Sequence, residues 1–150
     1  MNIQQLKSDL TTDEGCKLEI YEDHLGLPTF GIGHLILESD PEYDQPIGTP
    51  VSRERVGECF EKDIQTVLQD CVKLYDDFNE FPEELQLIIA NMMFNLGYPR
   101  LKKFKKMKEA VDNKDFIKAA REMRDSKWYE QVPLRAERLI NRMRGLKNTL

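Results

Sequence analysis

Glu14, Asp23, Thr29 and His34 place two carboxylates, a hydroxyl and an imidazole within the first quarter of a 150-residue chain. Such a set suits general acid–base chemistry, in which one carboxyl group delivers a proton to a leaving group while an ionised one accepts a proton from attacking water. The two roles need different surroundings. Glu14 closes a segment whose Ile3, Leu6 and Leu10 recur at helical spacing, a junction suited to partial burial. Asp23 lies beside polar and turn residues, where solvent reaches it. His24, in the same turn, reads as a solvated residue rather than a ligand. With two histidines and no CxxC pair, the chain offers no metal-binding pattern.

The elements that must hold these groups follow from periodicity. A short helix over residues 2–11 leads to Glu14, with Gly15 as its stop. Leu18 and Ile20, then Phe30 and Ile32, alternate about His24-Leu25-Gly26-Leu27-Pro28, the pattern of a β-hairpin. Gly31 and Gly33 point to a bend or a close backbone approach. Residues 37–50 carry Pro41, Pro46, Gly48 and Pro50, a surface loop or a short third strand. Ser52 then caps a helix of about six turns, with an apolar stripe through Val56, Phe60, Ile64, Val67, Leu68, Cys71, Val72 and Tyr75. Pro82-Glu83-Glu84 opens a central helix, proline in its first turn, which is apolar nearly all round from Leu85 to Leu96 and stops at Gly97. Further helices fit residues 101–111, 115–124 and 134–144, the last with Gly145 as its C′ residue.

Composition bounds what these elements serve. A chain of this length, 40% hydrophobic and 33% charged, is an ordinary soluble single domain. No apolar run approaches the roughly 20 residues of a bilayer span. Residues 1–10 are mixed and polar, without the basic start and apolar block of a secretory signal, so a cytoplasmic origin is expected. Cys16, Cys59 and Cys71 read as small buried hydrophobes in a reducing compartment. A net charge of −5 argues against a nucleic-acid partner. Arg100 to Lys108 is the basic exception, either a solvated helix face backed by Leu101, Phe104 and Met107 or a contact for an acidic polymer.

Glu14, Asp23 after an aromatic, a glycine turn, Thr29 and Gly31-Ile32-Gly33-His34 closely resemble the catalytic segment of the phage-type lysozymes. The resemblance continues through Asp63 on the long helix, Asn91-Met92-Met93-Phe94-Asn95-Leu96-Gly97, and Ser126-Lys127-Trp128 through Arg135-Ala136. It implies an α+β, mostly α, fold with a glycan cleft between two lobes, approximately 13–60 and 1–12 plus 61–150, joined by the long helix. Glu14 would be the general acid, with Asp23 and Thr29 activating water in a single displacement. Inversion implies carboxyl groups about 6.5–9.5 Å apart. Leu35 and Phe94 would contact the glycan, Arg135 would support Glu14, and Asn91 belongs to the supporting central helix. Trp128 is expected in the core.

His34 has two readings, a catalytic base or the partner of Asp63 in an ion pair; the resemblance implies the second. Such a pair would raise the folded-state pKa of the histidine. The implied function is an endolysin that hydrolyses peptidoglycan without a cofactor, acts as a monomer and reaches the wall through a holin. A lytic transglycosylase and a non-catalytic wall-binding or tail component are the alternatives. Two polar positions of the family fall on Met107 and Glu122, and residues 37–50 form a shorter segment than the family's.

Overall fold

The computed structural model describes residues 1–146. Helix α1 (Ile3–Glu14) starts at Asn2, whose side chain accepts from the Gln5 amide, and stops at Gly15 in a positive-φ conformation. Leu6 and Leu10 are fully buried from it, each worth about 1.5–3 kcal/mol of apolar transfer. Strands β1 (Lys17–Glu22), β2 (Pro28–Gly31) and β3 (His34–Leu35) then form an antiparallel sheet in the order β1-β2-β3. Thr29 pairs with Tyr21 on one side and Leu35 on the other.

The third strand is therefore His34–Leu35, and of the two readings of residues 37–50 the structure takes the surface loop. From residues 37–50 only Pro50 joins, by a bridge to Glu19. The hairpin alternation is also imperfect. The β1–β2 register shifts between Lys17 and Tyr21, and Leu18 faces solvent while Ile20 and Phe30 are buried.

Helix α2 (Arg53–Leu74) is capped by Ser52, whose hydroxyl accepts from the Arg55 amide, and runs 22 residues. It spans two cores. Val56 and Cys59 pack with Ile20, Phe30 and Val51, whereas Phe60, Ile64, Val67 and Cys71 belong to the larger helical core. Val72, expected in the apolar stripe, is exposed. Cys59 and Cys71 are buried as expected, but Cys16 is exposed.

Helix α3 (Glu83–Leu96) is the axis of the helical core, with Ile88, Ile89, Ala90, Asn91 and Met92 fully buried. Pro82 occupies its N-cap position rather than its first turn, and Gly97 ends it with φ 78°. The helix expected over 101–111 is instead two, α4 (Tyr98–Leu101) and α5 (Lys105–Asp112), parted by a turn. Lys102, Lys103, Lys105 and Lys106 would sit at like-charged i,i+3 and i,i+4 spacings in one continuous helix, which disfavours it. Leu101 and Met107 are buried on either side of the break.

Helices α6 (Phe116–Arg124) and α8 (Pro133–Arg144) follow as expected, and α7 (Lys127–Gln131), capped by the Ser126 hydroxyl, lies between them. Gly145 caps α8 with right-handed φ −74°, so it is not a left-handed C′ residue. Among the described residues no helix is long and apolar enough to cross a membrane.

Candidate active site

A cleft of about 870 Å³ runs between the sheet and the helical core, with α2 behind it. Glu14, Asp23, Thr29 and Leu35 line one side and Phe94, Asn95 and Trp128 the other.

Glu14 is the last residue of α1, so the end of that helix delivers its carboxylate to the cleft edge. Arg135 Nη1 donates to Glu14 Oε2 at 2.6 Å. The other oxygen, Oε1, has no donor among the described residues and lies against Gly33. A Cβ at Gly33 would come within 2.6 Å of it, and the backbone there has φ +62°. Glycine is thus required twice over at this position. Gly31 is likewise pressed on α2, where a Cβ would stand 2.9 Å from Val56 Cγ1.

Arg135 is 6% exposed and organises a buried polar group around the acid. Its Nε donates to Asn91 Oδ1 at 2.9 Å, and Asn91 Nδ2 donates to Asp13 Oδ2 at 2.9 Å. Arg138 Nη2 lies 2.6 Å from Asp13 Oδ1. Two arginines from α8 therefore balance the two carboxylates that end α1.

Asp23 terminates the hairpin turn through one oxygen only. Its Oδ1 accepts from the Leu25 and Leu27 amides at 2.8 and 2.9 Å, while Oδ2 has no donor among the described residues. This local bonding is what an aspartate commonly supplies in a turn. The buried Thr29 hydroxyl donates to the Leu27 carbonyl at 3.0 Å, which leaves its lone pairs to accept. Tyr21, across the hairpin from Thr29, lines the cleft with these groups. Burial, with the Glu14 and Asp23 charges, pushes its phenol above the usual range, so it stays protonated at neutral pH.

His34 is 6% exposed and meets a carboxylate at each ring nitrogen: Asp63 Oδ2 is 2.7 Å from Nδ1, and Asp40 Oδ2 is 2.8 Å from Nε2. Both nitrogens can donate only in the imidazolium. Burial pushes the ring pKa down, but the hydrogen bonds and charges of Asp63 and Asp40 outweigh it and the net shift is upward. Asp40 is itself tied further. Burial opposes its ionisation, yet the Leu37 amide, His34 and Arg55 together hold it below its usual value. Arg55 also donates to both oxygens of Glu42, whose pKa it lowers.

Residues 11–148 match the phage lysozyme family model. The chain belongs to the phage lysozyme family. Probable T4-type lysozyme 2 of Dictyostelium discoideum is 31% identical to it over 158 residues, 93% of each chain. The pre-baseplate central spike protein Gp5 of Enterobacteria phage T4 is 31% identical over 87% of this chain but 26% of its own length. Peptidoglycan hydrolase gp36 of Pseudomonas phage phiKMV is 31% identical over 91% of this chain and 15% of its own. Membership of the phage lysozyme family makes the protein a glycoside hydrolase.

In this family member the structure brings all nine residues singled out in the sequence to the cleft or to the groups bordering it. Glu14, Asp23, Thr29, Leu35, Phe94, His34 and Asp63 line it directly, whereas Asn91 and Arg135 lie beneath Glu14. Trp128 is 2% exposed and donates from its indole to Asn95 Oδ1 at 2.7 Å, so it is a core residue whose edge also borders the cleft. Asp13, Asp40, Arg55 and Arg138 were not anticipated. Asp13 alone carried a local signal, its adjacency to Glu14; Asp40 and Arg55 meet their partners through the loop after β3, and Arg138 meets Asp13 from α8 to α1. Among the described residues no three or more His, Cys, Asp or Glu side chains converge as a metal site.

Proposed function

We propose that the chain hydrolyses the β-1,4 bond between N-acetylmuramic acid and N-acetylglucosamine in peptidoglycan by a single displacement. The observation that carries this reading is the pair of carboxylate oxygens, Glu14 Oε1 and Asp23 Oδ2, that open on one cleft without a donor among the described residues. Glu14 passes its proton to the glycosidic oxygen as the bond breaks. Arg135 then stabilises the carboxylate left behind. Water held between Asp23 Oδ2 and the Thr29 hydroxyl attacks the anomeric carbon from the opposite face and gives its proton to Asp23. Proton exchange with solvent restores both groups. One displacement inverts the anomeric configuration.

The similarity to a phage protein named a peptidoglycan hydrolase supports hydrolysis of the wall, and we read the chain as an endolysin. In this reading a monomer accumulates in the host cytoplasm, passes a holin pore and lyses the cell. Mass spectrometry of purified peptidoglycan after digestion tests it. Reducing-end fragments that have gained one water are expected. Anhydro ends would indicate a lytic transglycosylase, and intact glycan a binding module.

A further inference from the structure

The loop that follows β3 reaches the cleft without an apolar anchor of its own. Ile36 turns inward against the small core of Ile20, Phe30 and Val51, and its amide donates to the Pro28 carbonyl at 3.1 Å. Leu37 turns the other way. It is 52% exposed and lies on the cleft beside Leu27 and Leu35. From Leu37 to Pro50 no residue is buried, so apolar packing does not hold this segment in place. Its far end is tied to β1 by main-chain bonds, from the Ile20 amide to Thr49 and from the Gly48 amide to Ile20. The near end depends on one side chain.

That side chain is Asp40. Its Oδ2 accepts from the Leu37 amide and from His34 Nε2, each at 2.8 Å, and its Oδ1 accepts from Arg55 Nη2 at 3.2 Å. The Asp40 amide returns a bond to the Leu37 carbonyl at 2.9 Å, which closes the turn from both sides. One carboxylate therefore joins Leu37 to the sheet through His34 and to α2 through Arg55. Both of these partners are fixed by a second carboxylate, His34 by Asp63 and Arg55 by Glu42. The proposed displacement makes no use of Asp40.

We propose that Asp40 is a positioning residue, which sets Leu37 as an apolar platform for a sugar ring of the bound glycan. The inference rests on the proposed peptidoglycan reading. A pyranose ring presents C–H groups on its faces and hydroxyls at its rim, so a cleft that orients it needs apolar side chains at fixed places as well as donors and acceptors. An exposed leucine on a loop without a core is such a place only when its backbone is held. Asp40 holds it at the Leu37 nitrogen itself, and the paired His34 and Arg55 make that hold stiff.

The test measures KM and kcat on soluble, uncross-linked peptidoglycan strands together with hydrogen exchange at the Leu37 amide. Asp40→Ala should speed that exchange about tenfold or more, a readout that needs no activity. It should also raise KM about four- to tenfold, as expected for losing cover over the exposed half of a leucine, with kcat within about twofold. Asp40→Asn keeps an oxygen for the Leu37 amide and His34, and should stay within about twofold of the wild type in KM. Leu37→Ala should raise KM by the same factor as Asp40→Ala, and the two together should raise it no further. Additive losses, a fall confined to kcat, or an unchanged KM in Leu37→Ala overturns the proposal. Leu37 is exposed, so its variant decides the outcome where Asp40→Ala does not fold. A wild type inactive on the strands refutes the peptidoglycan reading and the sugar platform with it. An active wild type whose Leu37 exchange is unchanged by Asp40→Ala overturns the role of Asp40 alone.

Discussion

Two networks of charged groups face the same cleft and differ in what they leave unpaired. Around Arg135, the buried guanidinium, Asn91, Asp13 and Arg138 are linked to one another, Asp13 Oδ1 through the Arg138 ion pair without a hydrogen bond, and Glu14 keeps Oε1, at the cleft, free of any donor among the described residues. Around His34, both ring nitrogens and both Asp40 oxygens are engaged, and Arg55 joins Asp40 to Glu42. Burial and charge are similar in the two. Spare bonding capacity separates them: an open carboxylate oxygen can exchange a proton with a substrate, whereas the doubly bonded imidazolium cannot do so without releasing a strut of the fold.

The comparison can be broken first at the acid. Glu14→Gln keeps an acceptor for Arg135 but has no proton to give, so turnover should fall about 10²–10⁴-fold while unfolding stays cooperative. Near wild-type turnover would remove Glu14 from the chemistry. Arg135→Met comes next. It leaves Glu14 without its donor beside a buried apolar group and removes one of the two cations at Asp13, and urea titration should show a loss of about 3–5 kcal/mol. A change below about 1 kcal/mol would make the buried ion pair dispensable.

At His34 the readout is pH. Its folded pKa is raised from 6.5, so its stabilisation is complete below 6.5 and is lost as pH rises through the higher folded value. Asp40 is lowered from 3.8, so its contribution is present above 3.8 and is lost as pH falls through the lower folded value. The network is strongest between those limits. His34→Asn should cost about 3 kcal/mol near pH 6 and progressively less at alkaline pH. An NMR titration that places the His34 ring at or below 6.5 would contradict this account.

The smallest effect sharpens the geometry at Gly33. Gly33→Ala should cost about 1–2 kcal/mol for a left-handed non-glycine residue and also depress turnover by displacing Glu14. Gly15→Ala has a similar φ, +71°, but its Cβ would meet nothing within 4 Å. It should show the stability cost with little kinetic effect. Equal kinetic losses in the two variants would mean that contact with Glu14 is not what Gly33 provides.

Much of this was legible in the chain because local rules set it. Ser52 caps α2 and Gly97 ends α3 as their residue types require, and the apolar spacing of Leu6 and Leu10 delivers Glu14 to the end of α1. The second partner of His34 was not legible, because Asp40 reaches it from a turn-rich loop without periodicity. The break after Leu101 was hidden for a related reason. Leu101 and Met107 are both buried, so apolar spacing alone joined α4 to α5, while the lysines between them weighed against a continuous helix. Arg138 pairs with Asp13 across the helical core, a contact that spacing within either helix does not encode.

The central claim is that two open carboxylates act on opposite faces of one sugar. Proton NMR of reducing ends in the first moments of peptidoglycan digestion, before mutarotation, tests it most directly. The account predicts the α-anomer as the first product; a β-anomer at the earliest time points would contradict it.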